Sequence, residues 1–249
     1  MWLVVMMLWA TTPPIWAGTG PVLLGLYDTP GDPAHVALVG ATAYVADGPA
    51  GLLILDVSDL TSPAPLGSYD TPTTAVRVEM DGTTAYVANG TTGLLIIDAS
   101  DPTSTSLIGS IDTGTATDLV LMGSVAYVAS GLAGLKIVDV SDPTTPVVLG
   151  TFNTSGSALG VEVVGTTAYV ADHLDGLKIV DVGNAASPSL IGSYDTPHDA
   201  SRVEVVGTTV YVADRSGGLQ IIDVGDFSSV VFWDGFELGD TSAWSTTSP

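Results

Sequence analysis

The feature that most constrains this chain is an internal repeat of about 42 residues. The tripeptide Tyr-Val-Ala recurs at spacings of 42, 41, 42 and 42 residues, beginning at Tyr44, Tyr86, Tyr127, Tyr169 and Tyr211. An Asp that closes an aliphatic run keeps the same spacings, at Asp56, Asp98, Asp139, Asp181 and Asp223. A period that recurs five times indicates a chain built from copies of one supersecondary unit.

Each copy contains four short β-strand patterns, which the second copy shows clearly. Residues 76–80 and 83–88 are rich in β-formers and flank an Asp-Gly pair, a hairpin signal. Aliphatic runs follow at 93–98 and 107–112, and no segment sustains the 3.6-residue period of a helix. Four antiparallel strands in about 42 residues are typical of a propeller blade. The sequence therefore predicts an all-β, five-bladed β-propeller over residues 21–226, with four strands in each blade.

The two ends of the repeat array suggest how the ring closes. Val22 to Asp28 has the character of a fourth strand, but no first three strands precede it. The last copy, Arg202 to Asp223, has three strands and no fourth. We therefore predict that the N-terminal strand completes the last blade and leaves no unpaired edge. The alternative is an open fragment that needs a partner to close.

The segments outside the repeats carry different signals. Residues 1–17 are apolar and uncharged, which predicts a secretory signal peptide cleaved after Ala17, the alternative being a buried N-terminal strand. No later stretch is long and apolar enough to be a membrane helix. Residues 227–249 break the period and contain Phe232, Trp233, Phe236 and Trp244. This aromatic and acidic tail is interpreted as a sorting or docking tag, or as a flap that packs its rings on the propeller.

Composition excludes several classes of partner. The formal net charge of −22 repels nucleic acid and anionic lipid and attracts cations. We interpret this negative charge as a means of keeping the protein soluble, or as an adaptation to a saline or Ca²⁺-rich habitat. The chain has no Cys, so it has neither disulfides nor thiolate chemistry.

Two of the aliphatic runs and the turn that follows them resemble a known family. The runs Leu135 to Asp139 and Leu177 to Asp181, with the Val-Ser-Asp-Pro of residues 140–143, are similar to LVIVD-repeat proteins. The resemblance covers residues 21 to 226. It implies a β-propeller secreted to a bacterial or archaeal cell surface. It implies no catalytic residues, because the family has no common activity.

Charged residues gather in two columns of the predicted innermost strands. Aligning the copies on their hairpin glycines places His35, Arg77, Asp118, Gly160 and Arg202 in one column. Two residues further on, the second column holds Ala37, Glu79, Val120, Glu162 and Glu204. Because residues i and i+2 share a strand face, Arg77 pairs with Glu79 and Arg202 with Glu204 in this prediction. The columns are interpreted as a polar ligand site at the channel, or as an ion network that keeps the channel polar.

A second set of residues falls in loops of one predicted face. These loops contain Asp32, His35, Asp172, His173, His198, Asp199 and Asp214. Imidazole and carboxylate groups are ligands for Zn²⁺, and carboxylates suit Ca²⁺. A divalent cation is thus the one cofactor that the sequence suggests, against the alternative that these side chains are solvated or form turn hydrogen bonds.

Enzymatic signatures in the sequence are weak. No Gly-x-Ser-x-Gly elbow presents a nucleophile, and the glycine-rich runs are hairpins rather than phosphate loops. We therefore predict a non-catalytic, monomeric scaffold, secreted or held at the cell surface, that binds a protein or glycan at its top face. The rivals are a polysaccharide hydrolase or lyase that uses channel carboxylates, and a passive acidic matrix component. The Tyr and Asp columns recur in every copy and are predicted to be structural.

Overall fold

The computed structural model describes residues 21–225. The signal peptide predicted at 1–17 and the tail predicted at 227–249 therefore lie outside the described residues. Within 21–225 no helix is long and apolar enough to cross a membrane. The described chain consists of five antiparallel sheets, each built in sequence order from one repeat.

Four sheets have four strands and the fifth has three. Sheet 1 comprises β1 (His35–Val39), β2 (Thr42–Ala46), β3 (Leu52–Asp56) and β4 (Ala64–Tyr69). Sheet 2 comprises β5 (Arg77–Asp81), β6 (Thr84–Ala88), β7 (Leu94–Asp98) and β8 (Ser106–Ile111). Sheet 3 comprises β9 (Asp118–Met122), β10 (Val125–Ala129), β11 (Leu135–Asp139) and β12 (Val147–Phe152). Sheet 4 comprises β13 (Gly160–Val164), β14 (Thr167–Ala171), β15 (Leu177–Asp181) and β16 (Ser189–Tyr194). Sheet 5 comprises β17 (Arg202–Val206), β18 (Thr209–Ala213) and β19 (Leu219–Asp223), with a 3₁₀ turn at Arg215–Gly217.

The first hairpin of each sheet has a two-residue loop. In sheet 2, Asp81 pairs with Thr84, so the loop is Gly82-Thr83, one residue later than the Asp-Gly pair indicated. Gly82 has φ +58°, a conformation that glycine adopts without the penalty a side chain would bring. In each of the four-stranded sheets the third strand pairs with the fourth across a one-residue bulge, as between Ile54 and Leu55 in sheet 1.

The hydrophobic core lies between neighbouring sheets. One cluster joins Tyr44 and Ile54 of sheet 1 to Val78 and Val87 of sheet 2, and the next three interfaces repeat this arrangement. The Tyr rings of the first four sheets are at most 8% exposed, which confirms their predicted structural role. Aliphatic and aromatic burial between sheets is the main stabilising contribution to such a fold.

The closing Asp of each third strand caps the turn that follows it. In sheet 2, Asp98 Oδ1 accepts the N–H of Ser100 at 2.9 Å, and the equivalent bond forms at the end of every third strand. The bond holds the pKa of Asp98 below its usual range because it stabilises the ionised carboxylate. The predicted structural role of the Asp column is thus confirmed.

The closure predicted for the N-terminal strand is not formed in this structure. Residues 21–28 form no strand, and within residues 21–225 β19 pairs only with β18. Four strands therefore occur in four of the five sheets. The first strands contact one another in series from β1 to β17, and no comparable contact joins β17 to β1 in the described chain. Leu219 and Ile221 of β19 are 60% and 63% exposed as a result.

Pro33 removes one of the two backbone hydrogen bonds that would bridge sheet 5 to sheet 1. Successive sheets are bridged by backbone hydrogen bonds, as where Ala75 N–H donates to Gly48 O at 2.9 Å. The repeat spacing puts Pro33 of the first copy where the later copies have Ala. Proline has no N–H, so this bond cannot form between sheet 5 and sheet 1.

Candidate functional site

The first strands of the five sheets bring the two charged columns to the centre of the fold. The first residue of each innermost strand is the one that the alignment of the copies gives, namely His35, Arg77, Asp118, Gly160 or Arg202. The second column follows two residues later on the same strands. Strand periodicity thus turns residues 42 apart in sequence into neighbours.

Asp118 is the centre of the charged cluster. Its side chain is only 4% exposed and lies between two guanidinium groups, with Arg202 Nη1 at 2.8 Å and Arg77 Nη1 at 3.5 Å. The backbone N–H of Val161 donates to Oδ2 at 3.1 Å, and that of Leu119 donates to Oδ1 at 3.0 Å. A carboxylate with four donors is fully satisfied, so Asp118 anchors the cluster rather than offering a free binding group.

The predicted pair of Arg77 with Glu79 is present. Arg77 donates from Nε and Nη2 to Glu79 Oε1 at 3.0 and 2.7 Å. Together with the contact of Nη1 to Asp118, these bonds engage all three nitrogens of the guanidinium group. Arg77 and Glu79 therefore belong to the ion network that was one of the two interpretations of the columns.

Arg202 departs from the sequence prediction because it reaches Asp118 rather than Glu204. Its Nη1 also donates to the carbonyl oxygens of Thr117 and Leu159, at 3.4 Å each. Gly160 explains how the Arg202 side chain can reach Asp118 in sheet 3. A Cβ at Gly160 would lie 3.0 Å from Arg202 Cα, so the missing side chain lets β17 approach closely. Arg202 then extends past sheet 4 to the third sheet.

Glu162 and Glu204 remain without an ion-pair partner among residues 21–225. They line a cavity of about 270 Å³ together with Arg77, Asp118 and Arg202. The apolar wall of this cavity is formed by five further residues, Val161, Val203, Tyr211, Ala213 and Leu219. Burial, and then the neighbouring negative charge of Glu204, raise the pKa of Glu162. The cavity thus combines unpaired carboxylates with an apolar wall.

His35 lies at the edge of the same cluster. Burial, and then the positive charge of Arg77, lower its pKa, so the imidazole is neutral at pH 7. Its Nδ1 is buried and has no hydrogen-bond partner among the described residues. A neutral ring in this position adds no charge to the channel.

The seven residues proposed as metal ligands separate into different environments. No group of three His, Asp or Glu side chains in residues 21–225 is arranged to hold a metal ion. Asp172 and Asp214 are fully buried, and each accepts a backbone N–H, from Gly156 at 3.0 Å and His198 at 3.1 Å. His35 lies at the channel, and Asp32 is exposed.

His173 and Asp199 are the candidate ligands that do meet. His173 Nε2 lies 3.7 Å from Asp199 Oδ2, and Arg215 Nη1 approaches the same oxygen at 3.9 Å. The guanidinium competes with any cation for this carboxylate. The described residues therefore bring together two candidate ligands rather than the three or more that a metal site needs, and cation binding stays a prediction.

A column of buried polar residues follows the Tyr-Val-Ala motif, and of its members only Asp172 and Asp214 were predicted as candidate ligands. The residue after each Tyr-Val-Ala is at most 1% exposed in all five sheets, and these residues are Asp47, Asn89, Ser130, Asp172 and Asp214. In sheets 1, 4 and 5 the Asp accepts a backbone N–H of the loop that leads into the first strand of the same sheet. The signal that could have identified this column in the sequence is its position, because it directly follows Tyr-Val-Ala, the most regular motif of the chain.

Comparisons with solved structures concern the fold. One similar structure is a functionally unknown protein from Desulfotomaculum acetoxidans, with a TM-score of 0.63, 14% identity, and coverage of 80% of this chain and 73% of that chain. Another is the computationally designed Ika8 protein, with a TM-score of 0.55, 7% identity, and coverage of 76% and 70%. At these identities only the fold is shared.

Family membership rests on the repeats themselves. No curated protein matches the chain. The LVIVD repeat family matches five consecutive segments, residues 30–71, 73–113, 114–154, 155–196 and 197–235. These segments follow the observed sheets and cover most of the sequence, so this chain is a member of the LVIVD repeat family.

Proposed function

We propose that this chain is a non-catalytic extracellular scaffold that binds a protein or glycan ligand at its top face, over the channel. The observation that carries the proposal is the cavity lined by Glu162, Glu204 and an apolar wall. A concave site with a few polar groups on apolar walls is the usual form of a ligand site. The apolar, uncharged residues 1–17 support secretion.

The charges of the site favour a ligand that carries a cationic group or a neutral hydrogen-bonding group. Asp118 is satisfied by Arg77 and Arg202, so the free charges are the carboxylates of Glu162 and Glu204. The net charge of −22 adds a long-range attraction for cations. An amino group of a peptide or an amino sugar satisfies both conditions.

A binding screen tests this proposal. The full chain is screened by thermal shift against basic peptides and a panel of neutral, amino and acidic glycans, since binding to the folded state raises the melting temperature. Glu204→Gln should abolish the shift. Asp70→Asn also removes one exposed negative charge, but away from the channel, and should leave the shift unchanged. A ligand whose shift survives Glu204→Gln binds elsewhere, and no shift with any ligand favours a passive matrix component.

A second candidate function is hydrolysis or cleavage of a polysaccharide. The observation that favours it is the raised pKa of Glu162 beside Glu204, because glycoside chemistry uses two carboxyl groups of unequal pKa. Reducing-end assays on acidic and neutral polysaccharides test this function. Turnover that is lost in both Glu162→Gln and Glu204→Gln supports an enzyme. Binding without turnover supports the scaffold.

A further inference from the structure

A pocket of about 320 Å³ lies at the end of the channel where the innermost strands begin. We call it the mouth pocket. Four of its lining residues come directly before β5, β9, β13 and β17, and the other two are arginines: Val76, Thr117, Leu159 and Ser201, with Arg202 and Arg215. Two of the three arginines of the chain therefore line this pocket, and no carboxylate of residues 21–225 does. The mouth pocket is a cationic spot on a protein of net charge −22.

The backbone of Arg215 has a conformation that a side chain disfavours. Its φ is +39°, in the left-handed region. The equivalent position of the first three sheets is occupied by glycines whose φ lies between +48° and +57°, namely Gly48, Gly90 and Gly131. Folding therefore does not require a side chain at this position. Residues held in disfavoured conformations cluster at functional sites, so Arg215 is expected to serve a ligand.

The two guanidinium groups retain donors for a ligand. The contacts of Arg202 all use Nη1, which leaves Nε and Nη2 without a partner among the described residues. Arg215 Nη1 lies 3.9 Å from Asp199 Oδ2, beyond hydrogen-bond distance, and the Arg215 side chain is 56% exposed. A guanidinium group matches a carboxylate in shape and charge, because it donates two parallel hydrogen bonds to the two oxygens.

The hydroxyl groups of the mouth pocket present acceptors rather than donors. Thr117 Oγ1 donates to two backbone oxygens, at 3.1 and 3.0 Å, and Ser201 Oγ donates to a third at 3.0 Å. Because these protons are engaged, the free lone pairs of the hydroxyl oxygens accept from a ligand. The rest of the wall is formed by the aliphatic side chains of Val76 and Leu159. A fitting ligand carries hydroxyl donors and an apolar flank beside its carboxylate.

We propose that the mouth pocket binds the uronate residue of a glycan, with the sugar carboxylate held between Arg202 and Arg215. A uronate combines one carboxylate, several hydroxyl donors and a sugar ring with an apolar face. A peptide C-terminus has the carboxylate but lacks the row of hydroxyl donors. The net charge of −22 repels a polymer of uronates, so the site suits a single uronate on an otherwise neutral glycan.

This site goes beyond the proposed function, because the mouth pocket is separate from the cavity that Glu162 and Glu204 line. Among the described residues, Arg202 is the one that lines both. A ligand of that cavity depends on Glu204, whereas a uronate in the mouth pocket depends on Arg215. Variants of these two residues therefore test the two proposals separately.

Isothermal titration calorimetry of the full chain at low ionic strength tests the uronate site. Three ligands are compared: a trisaccharide ending in glucuronate, the matched trisaccharide ending in glucose, and an N-acetylated dipeptide with a free C-terminal carboxylate. We expect the glucuronate trisaccharide to bind at least about tenfold more tightly than either of the others, because only this ligand pairs with both the guanidinium groups and the hydroxyl acceptors. Added salt should weaken its binding, since Arg215 is exposed to solvent.

Two glycine variants provide a matched pair. Arg215→Gly restores the residue that the first three sheets have, and should weaken glucuronate binding at least about tenfold without lowering the melting temperature. His173→Gly makes the same change at φ +51° in sheet 4 and should leave binding unchanged, because His173 does not line the mouth pocket. Glu204→Gln should also leave it unchanged. If Arg215→Gly fails to fold, Arg215→Gln removes the charge while it keeps a side chain at the position.

Other results overturn the proposal in distinguishable ways. Equal affinity for the two trisaccharides shows that the carboxylate is not recognised, and tighter binding of the dipeptide assigns the pocket to a peptide C-terminus. Glucuronate binding that survives both Arg215 variants places the carboxylate elsewhere on the protein. Binding that is lost in Glu204→Gln places it in the neighbouring cavity and supports the proposed function instead. No binding of any of the three ligands means that the mouth pocket is not a carboxylate site, and leaves a ligand of Glu162 and Glu204 unaffected.

Discussion

Arg202 in sheet 5 and Asp118 in sheet 3 form an ion pair across the channel, with 2.8 Å between Nη1 and Oδ2. The pair passes over sheet 4 at Gly160, the one position of its column without a side chain. The buried clusters between neighbouring sheets are apolar, whereas this contact is polar and joins sheets that are not neighbours. The channel network therefore adds a link that the repeat alone does not provide.

The first prediction concerns Asp118. Asp118→Asn is expected to lower the free energy of unfolding by about 2–3 kcal/mol, because it leaves two guanidinium groups without their shared carboxylate. The loss is at the lower end for a buried ion pair, since the side chains of Arg77 and Arg202 are 24% and 42% exposed and regain water. Urea unfolding measures it. Asp70→Asn, on an exposed carboxylate, should change the free energy by less than about 0.5 kcal/mol. Equal effects would contradict the network.

The second prediction concerns the glycine that lets the ion pair form. Gly160→Ala is expected to destabilise the fold by about 1–3 kcal/mol, because the new Cβ meets Arg202 Cα and the carbonyl oxygen of Ser201 at 3.0 Å. Thermal and urea unfolding test this value. Val164→Ala at the exposed end of β13 serves as the comparison and should cost less. A neutral Gly160→Ala would mean that β17 can shift without loss of the Asp118 contact.

The repeat made the strands and the core predictable, because period-2 patterning and turn residues act over a few residues and recur five times. The innermost columns were predicted for the same reason, and so was the pair of Arg77 with Glu79. The sequence could not show that Arg202 would choose Asp118 over Glu204, because that choice depends on the space left by Gly160. Local pattern predicts the face of a side chain, and packing decides its partner.

The ends of the repeat array were harder to predict. Pairing of Val22 to Asp28 with β19 requires contact between the two ends of the chain, and strand character alone does not establish it. A backbone bridge between sheet 5 and sheet 1 would favour this contact, but Pro33 has no N–H to donate to it. The sequence alone does not show this, because the equivalent bridge at Ala75 is visible only in the structure. The burial of Asp47 and its equivalents was not predicted for a similar reason, since turn Asp residues are usually exposed.

The third prediction concerns Glu162, whose pKa is raised by burial and by Glu204. A raised carboxyl pKa favours the protonated form in the folded state, so the stability it contributes is present at low pH and is lost as the pH rises through that pKa. Glu162→Gln should therefore raise the melting temperature slightly at pH 7.5 and have almost no effect at pH 4. Calorimetry at both pH values tests this. A lower melting temperature at pH 7.5 would show that the ionised carboxylate has a stabilising partner.

The last prediction concerns Asp172, which is fully buried and whose Oδ1 has no hydrogen-bond partner among the described residues. Burial raises its pKa, although the hydrogen bond that the backbone N–H of Gly156 donates to Oδ2 opposes the shift. Asp172→Asn should raise the free energy of unfolding at pH 7.5 by the order of 1 kcal/mol, because a neutral amide loses less hydration on burial than a carboxylate. Asn89 already occupies the equivalent position of sheet 2, so the side chain fits.

Asp172 also gives a direct test of cation binding at the loops. The stabilising effect of Asp172→Asn should shrink as the pH falls towards 4, because the raised pKa increases the protonated fraction of the wild-type carboxyl at low pH. Unfolding is measured at both pH values, with and without added Ca²⁺. If Asp172→Asn instead destabilises the chain at pH 7.5, and Ca²⁺ stabilises only the wild type, then Oδ1 is a cation ligand. That result would restore Asp172 as a metal ligand and assign the buried carboxylate a role beyond holding the Gly156 loop.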